Sequence, residues 1–219
     1  PLVGIMHALV FWGFLVILVG SIEMIIDGIF GTERVFASLG VVYDIITASG
    51  DVFALIIVIA IVAFIIRRLF MNIRRFSGIE MGHKSHMDAN IALTLILLLM
   101  ISLIGMNVYY YILNPDSPDG YYPVSMFIVS NLIPLHSMSP QTAHMMHEFY
   151  WWSHILLIFI FANVLPYSKH FHVFLSVPNV FLSRLEPLGK LYNMPDITKE
   201  VKLMMNPDTA FAAPAEGEE

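Results

Sequence analysis

Four long apolar runs, at about 3–26, 51–70, 89–113 and 149–167, constrain this chain more than anything else in it. Each is close to the ~20 residues that a helix needs to cross hydrocarbon ~30 Å thick. In that solvent a segment must satisfy its own backbone N–H and C=O groups. Four such runs therefore predict an all-α integral membrane bundle of four transmembrane helices. The composition agrees: 58% of residues are hydrophobic, 13% are charged, and the mean hydropathy is +0.75. The net charge of −6 matters less than where the charges fall.

Arg67, Arg68, Arg74, Arg75 and Lys84 lie between the second and third runs. Lys169, Arg184, Lys190, Lys199 and Lys202 follow the fourth, and Arg34 alone lies in the other two loops. Ten of eleven basic residues thus share one side, which the positive-inside rule makes cytoplasmic. The expected topology is multi-pass in a bacterial or archaeal cytoplasmic membrane, with both ends cytoplasmic. The first apolar run starts beside Pro1 with no initiator Met, basic n-region or cleavage signature, so it does not read as a signal peptide. The natural chain is expected to begin upstream, with room for a fifth span. The expected domains are a membrane domain at 1–175, an amphipathic interfacial segment at 176–205 and a disordered acidic tail at 206–219.

The loop NPDSPDG at 114–120 is a strong turn signal, and 121–147 has room for a short surface helix. Tyr109, Tyr110, Tyr111, Tyr121, Tyr122, Tyr150, Trp151 and Trp152 read as an aromatic belt at the outer interface.

Histidines carry the chemistry. His154 and His172 are eighteen residues apart, which on one helix is five whole turns and roughly 27 Å. One imidazole near each membrane surface on one stripe suits two stacked haems. Pro166 falls inside that count and is a place where a helix kinks. His7, at the cytoplasmic end of the first run, shares the depth of His172, as a bis-histidine b haem requires. His170 competes with His172 but lies ~160° round the helix from the His154 stripe. The outer partner of His154 is open. His144 or His147 serves only if the chain breaks near Tyr150 and folds back; His136 and a single-haem protein are the other options. His83 and His86 read as interfacial polar residues. The pairs HKSH (83–86) and HMMH (144–147) resemble di-iron histidine boxes, but the charge pattern puts them on opposite membrane faces.

The chain has no cysteine, which excludes disulfides, Cys-ligated iron–sulfur clusters and covalent CxxCH haem from it.

The run WWSHILLIFIFANVLPYSKHFHVFLSVPNVFLSRLEPLGK (151–190) resembles the last span of the nitrate reductase gamma-subunit superfamily. It is most similar to the branch associated with heterodisulfide-reductase-like iron–sulfur proteins. That branch includes cytochrome b subunits of sulfate-reducer transmembrane redox complexes, and membrane-bound iron–sulfur oxidoreductases acting with electron-transfer flavoprotein. IIDGIFGTERVF (25–36), RRLFMNIRRF (67–76) and MDAN (87–90) support the match. The resemblance implies a di-haem b membrane subunit of a quinone-linked oxidoreductase complex. It would exchange electrons between a quinone or menaquinone pool and a cytoplasmic iron–sulfur partner. Further membrane or periplasmic cytochrome subunits are compatible partners; nucleic acid is not one. His7, His154 and His172 match ligand positions. The pattern's fourth histidine is missing, since position 17 is Ile. The family's five spans also fit a missing first span. The resemblance also implies quinone chemistry, which couples two electrons to two protons and so needs a proton-exchanging group beside an apolar slot. Glu23, flanked by Ile22, Met24 and Ile25, is the better candidate, with Asp27 second. The plainer reading is that both acids end a span at the water interface.

The segments 67–88 and 169–195 combine basic residues with Phe171, Phe174, Val180, Phe181 and Leu182. They suit either a docked iron–sulfur subunit or lipid headgroups of the bilayer. The alternative function is a non-redox membrane anchor or a transporter subunit. A transporter would more often carry repeats and midplane polar groups, whereas here the polar groups crowd the surfaces. The topology makes a direct prediction. In oriented vesicles the 196–219 tail is cleaved by protease from the cytoplasmic face only, and cleavage from the outer face alone would overturn the assignment.

Overall fold

The computed structural model of the chain describes residues 2–71, 83–116, 118–131, 138–186, 189 and 194–206, with the side chains of 83–85 left aside. His136, Arg74, Arg75, Lys190 and the 207–219 tail, all used in the sequence reading, lie outside the described residues. Every regular element among the described residues is helical. The chain forms two compact units, Pro1–Ser176 and Val177–Glu219.

The first unit holds four helices long and apolar enough to cross a membrane, which makes this a multi-pass membrane protein. They are α1 (Leu2–Phe30), α2 (Val41–Phe70), α3 (His83–Leu113) and α5 (Pro140–Val164), with the short α4 (Pro123–Asn131) before α5. All four are longer than the apolar runs suggest, α2 and α5 most markedly at their starts. α2 starts at Val41 rather than near 51, because Gly40, at φ 57°, reverses the chain immediately before it. α5 starts at Pro140 rather than near 149: Ser139 Oγ accepts the Thr142 N–H at 3.2 Å, with proline in the first turn.

Side-chain contacts set the helix order. α1 packs antiparallel on α2, α2 on α3, and α3 on α5. Small residues allow the close approaches, as expected where lipid offers no hydrophobic drive. A Cβ on Gly13 would lie 2.8 Å from Ile57 Cδ1, so glycine lets α1 rest on that face of α2 without displacing the Ile57 side chain. A Cβ on Gly105 would meet the Tyr150 ring at 2.6 Å, and that ring stacks on Tyr109. Ala54, Ile57, Ile61, Leu99 and Met100 form the buried centre. Trp12, Ile59 and Phe159 point outward, as lipid-facing residues do. α1 and α5 make no packing of comparable extent, so a gap separates them.

α5 does not continue to His172. Pro166 lacks the N–H that the ladder needs, and its ring crowds the carbonyl four residues back. The chain winds as a 3₁₀ turn at Leu165–Tyr167, passes through extended Ser168, makes a second turn at Lys169–Phe171, and starts α6 (His172–Phe181). His154 and His172 are therefore not on one continuous helix, and the five-turn count does not apply. The break is anchored on α3, where Asp88 Oδ2 accepts the Lys169 N–H at 3.1 Å. It then delivers α6 to α1, with Phe174 edge-on to Phe14 at 6.3 Å.

In the second unit, α7 (Pro195–Met205) begins with proline in its first turn. It is amphipathic, carrying Lys199, Glu200 and Lys202 along with exposed Ile197, Val201 and Met204.

One buried carboxylate ties the upper half of the first unit together. Asp51, on α2, is 1% exposed. It accepts the Val124 and Ser125 N–H groups at 2.8 and 2.9 Å, the Ser125 hydroxyl at 2.8 Å and the Asn107 amide at 3.3 Å. Asp51 thus caps α4 from another helix and places negative charge at its N-terminus. Asp51→Ala is expected to cost about 3 kcal/mol or more, since hydrogen bonds to a charged group are lost and buried donors are left without partners. Thermal unfolding in nanodiscs, followed by tryptophan fluorescence, measures this. An unchanged melting temperature would remove Asp51 from this role.

Candidate functional site

Polar chemistry gathers at the two ends of the four-helix unit. The lower end is where α1 begins and the α5 break occurs; the upper end is where α1 and α3 finish.

At the lower end the break brings His172 to His7, with ring centres 6.1 Å apart and planes tilted by 33°. Two metal–nitrogen bonds of about 2 Å end to end, with ring centres ~1 Å behind each nitrogen, would put such centres roughly 6 Å apart. His172 Nδ1 lies 2.9 Å from the Lys169 carbonyl, an acceptor, so that nitrogen carries the proton. The Nε2 lone pair is then free to bind metal, and the backbone fixes the ring as an outer-shell partner does. His170 stands 6.2 Å from His172, but on the same short segment. Its Nδ1 is held by Ser168 Oγ at 2.9 Å, and burial pushes its imidazole below the ordinary value, against the opposing pull of Asp88.

His154 lies further up, 3% exposed. Its Nδ1 is 3.1 Å from the Leu99 carbonyl and 2.9 Å from Ser102 Oγ, and Ser102 donates to the same carbonyl. The carbonyl again fixes the tautomer and leaves Nε2 available. His154 lines a cavity of about 710 Å³ in the gap between α1 and α5, within the range that holds cofactors. Gly20 and Gly50 line it too, and a Cβ at either would meet nothing within 4 Å. The cavity follows α1 from Val16 to Gly31, about 22 Å of helix.

His144 and His147 line the same cavity from the same helix as His154. α5 runs unbroken through Tyr150, so the fold-back that would carry His144 to the opposite face of a His154 haem is absent. His144 stands ten residues above His154 on that helix, about 15 Å away. Tyr110 packs against His147 at 6.3 Å. The two histidine pairs near 83–86 and 144–147 sit at opposite ends of the bundle, since α3 and α5 run antiparallel with Gly105 against Tyr150.

The upper rim is built round Glu23, Asp27 and Arg34. Gly31, at φ 65°, ends α1, and Asp27 then organises the turn. Its carboxylate accepts the Thr32 hydroxyl at 2.6 Å and the Arg34 and Val35 N–H groups at 2.8 and 3.2 Å. Asp27 therefore holds a loop. Glu23 is 9% exposed and lines the cavity; Oε1 accepts the Phe36 N–H at 3.0 Å and Oε2 the Tyr43 hydroxyl at 3.2 Å.

Arg34 holds a left-handed backbone at φ 52°, a costly state for a side-chain-bearing residue that gathers at functional sites. Its guanidinium lies 3.4 Å above the Tyr110 ring. Nη1 donates to Tyr122 Oη, to Tyr43 Oη at 3.2 Å and to the Asp119 carbonyl at 3.3 Å. Burial pushes the Tyr122 hydroxyl above its ordinary range despite the adjacent Arg34, so it stays a neutral phenol. The aromatic belt read from the sequence is thus partly turned inward: Tyr122 is buried and Tyr110 carries Arg34.

Sequence reasoning missed Arg34, Tyr43, Ser102 and Asp51. Arg34 had a signal, as the lone basic residue on its side. Asp51 had one too, a carboxylate beside an unbroken apolar run. Tyr43 and Ser102 had none, because their roles depend on which helix lies opposite.

Two curated proteins are similar to this chain. The probable iron-sulfur-binding oxidoreductase FadF of Bacillus subtilis (strain 168) is 30% identical over 202 residues, covering 91% of this chain and 26% of that protein. The EtfAB:quinone oxidoreductase of Syntrophomonas wolfei is 24% identical over 209 residues, covering 89% of this chain and 27% of that protein. The chain thus spans about a quarter of the length of these relatives. No family model and no solved structure matches it.

Proposed function

We propose that this chain is the haem-b-carrying membrane part of a quinone-linked redox complex. It moves electrons between a membrane quinone pool and an iron–sulfur module at its lower, cytoplasmic end. The 6.1 Å separation of the His7 and His172 rings carries this reading. The names of the two relatives, one iron-sulfur-binding and one a quinone oxidoreductase, point the same way. So does the resemblance to nitrate reductase gamma subunits and their heterodisulfide-reductase-associated branch. The chain itself has no cysteine, so an iron–sulfur cluster must sit in another chain or domain.

His7 and His172 fit the axial positions of a low-spin b haem: two imidazoles from different helices, one with its tautomer fixed by a backbone carbonyl. His154 fits the axial position of a second haem in the cavity, where Gly20 and Gly50 leave room for a macrocycle. No second imidazole faces His154 from another helix among the described cavity residues, so His154 is the histidine that those residues would offer such a haem. When bound, such haems supply reversible one-electron transfer. The chain does the rest. Val16, Ile17 and Leu103 keep the cavity wall apolar, and Ser102 with the Leu99 carbonyl holds the His154 ring.

The two-haem arrangement also answers a distance problem. His7 and Glu23 are sixteen residues apart on α1, about 24 Å. A centre at the level of His154 divides that span.

His172→Ala and His154→Ala test the assignment. Each is expected to remove one of two haems while leaving the other, as read by haem quantification and the reduced-minus-oxidised visible spectrum of purified protein. Full haem content in His172→Ala would move the lower ligand to His170. Full haem content in His154→Ala would leave the lower haem alone in the chain.

A further inference from the structure

The upper rim of the cavity pairs an acceptor with a donor. Glu23 offers a buried carboxylate, and Arg34 has used one nitrogen only. Nη1 makes all of its hydrogen bonds, while Nε and Nη2 carry none among the described residues. Arg34 has no carboxylate within ion-pair distance of its guanidinium among those residues, and the Tyr43 hydroxyl links it to Glu23 by hydrogen bonds. A strained backbone, a guanidinium stacked on Tyr110 and a nearby half-satisfied carboxylate are costly to hold together in a membrane protein. Tertiary structure alone would be served by an apolar rim.

We propose that this rim binds the head group of a para-quinone, with Arg34 donating to one oxygen and Glu23 exchanging the proton of the hydroxyl. The inference rests on the redox reading above and deepens it by naming the residues that bind the quinone and handle its protons. Guanidinium N–H groups suit a quinone carbonyl, which only accepts. A carboxylate suits a quinol hydroxyl, which donates. Together the pair holds the head group in both oxidation states. In the oxidising direction each of two O–H bonds breaks and each oxygen becomes a carbonyl. A haem held by His154 would take up the two electrons one at a time. The proton of the hydroxyl on Glu23 goes to its carboxylate, which releases it toward the loop side, and the proton of the hydroxyl held by Arg34, which cannot accept it, leaves to water at the rim. The reverse direction consumes two electrons and two protons through the same groups. Tyr43 positions Glu23, and Asp27 positions Arg34 through its backbone N–H.

The test uses the haem-loaded full chain in nanodiscs. Trp151 and Trp152 line the cavity, so quenching of tryptophan fluorescence by 2,3-dimethyl-1,4-naphthoquinone reports binding directly. Arg34→Lys is expected to weaken that binding at least about tenfold, the loss of one charge-assisted contact. Glu23→Gln keeps an oxygen for the Phe36 N–H and removes the group that takes up the proton. It is expected to slow haem reduction by the corresponding quinol about a hundredfold, with dithionite-reducible haem unchanged. Parental quinol kinetics in Glu23→Gln, or parental quinone affinity in folded Arg34→Lys, overturns the proposal. Should Arg34→Lys fail to fold, the Glu23→Gln kinetics decide alone. A parent protein that binds quinone saturably but contains no haem would overturn the redox reading and leave the binding site standing. A haem protein that does not bind quinone would do the opposite.

Discussion

Helices that cross hydrocarbon satisfy their own backbone, so polar contacts between them are few and each one fixes a great deal. In this chain the gap between α1 and α5 depends on such contacts. α1 is held against α2 by the close approach at Gly13 and by Glu23 on Tyr43. α2 is held to α3 by Asp51 on Asn107 and by Arg68 on Asn90, the latter at 2.6 Å. α3 is held to α5 by Gly105 beneath Tyr150 and by Ser102 on His154. With those three seams made, α1 and α5 flank open space. Isolated polar groups at a lipid-exposed face would be expensive; the same groups round an internal gap can serve a cofactor.

The two ends of that gap solve different chemical problems. The lower end presents imidazoles, nitrogen donors, with His172 fixed by a backbone carbonyl. The upper end presents a carboxylate, phenols and a guanidinium, groups suited to protons and oxygen atoms. His154 lies between them. The break at Pro166 matters as much as any ligand, because α5 makes no extensive packing on α1 and the chain beyond the break brings His172 to His7.

Much of the fold was legible. Four apolar runs of membrane length give four helices whatever the partners, and His7 and His172 do lie close, though the break at Pro166 rather than one continuous helix brings them together. The count along His154 to His172 failed because it assumed one helix, although Pro166 is visible in the sequence. The early starts of α2 and α5 were hidden for a simple reason. Their opening segments, 41–50 and 140–148, mix polar residues such as Asp44, Thr47, Gln141 and Glu148 with apolar ones, and hydropathy reports lipid contact rather than helix. Tyr122 looked like an interfacial aromatic because composition cannot tell a ring facing headgroups from one facing an arginine. Asp51 and Ser102 show the deepest limit: their meaning comes from residues more than fifty positions away.

The central claim is that two imidazoles from different helices bind one haem at the lower end. Electron paramagnetic resonance of the oxidised, purified chain tests it most directly. The account predicts a low-spin ferric signal of bis-imidazole type, with a second, distinct haem signal from the site at His154. A preparation reconstituted with haem that shows only high-spin signals, or that holds no haem at all, would contradict it.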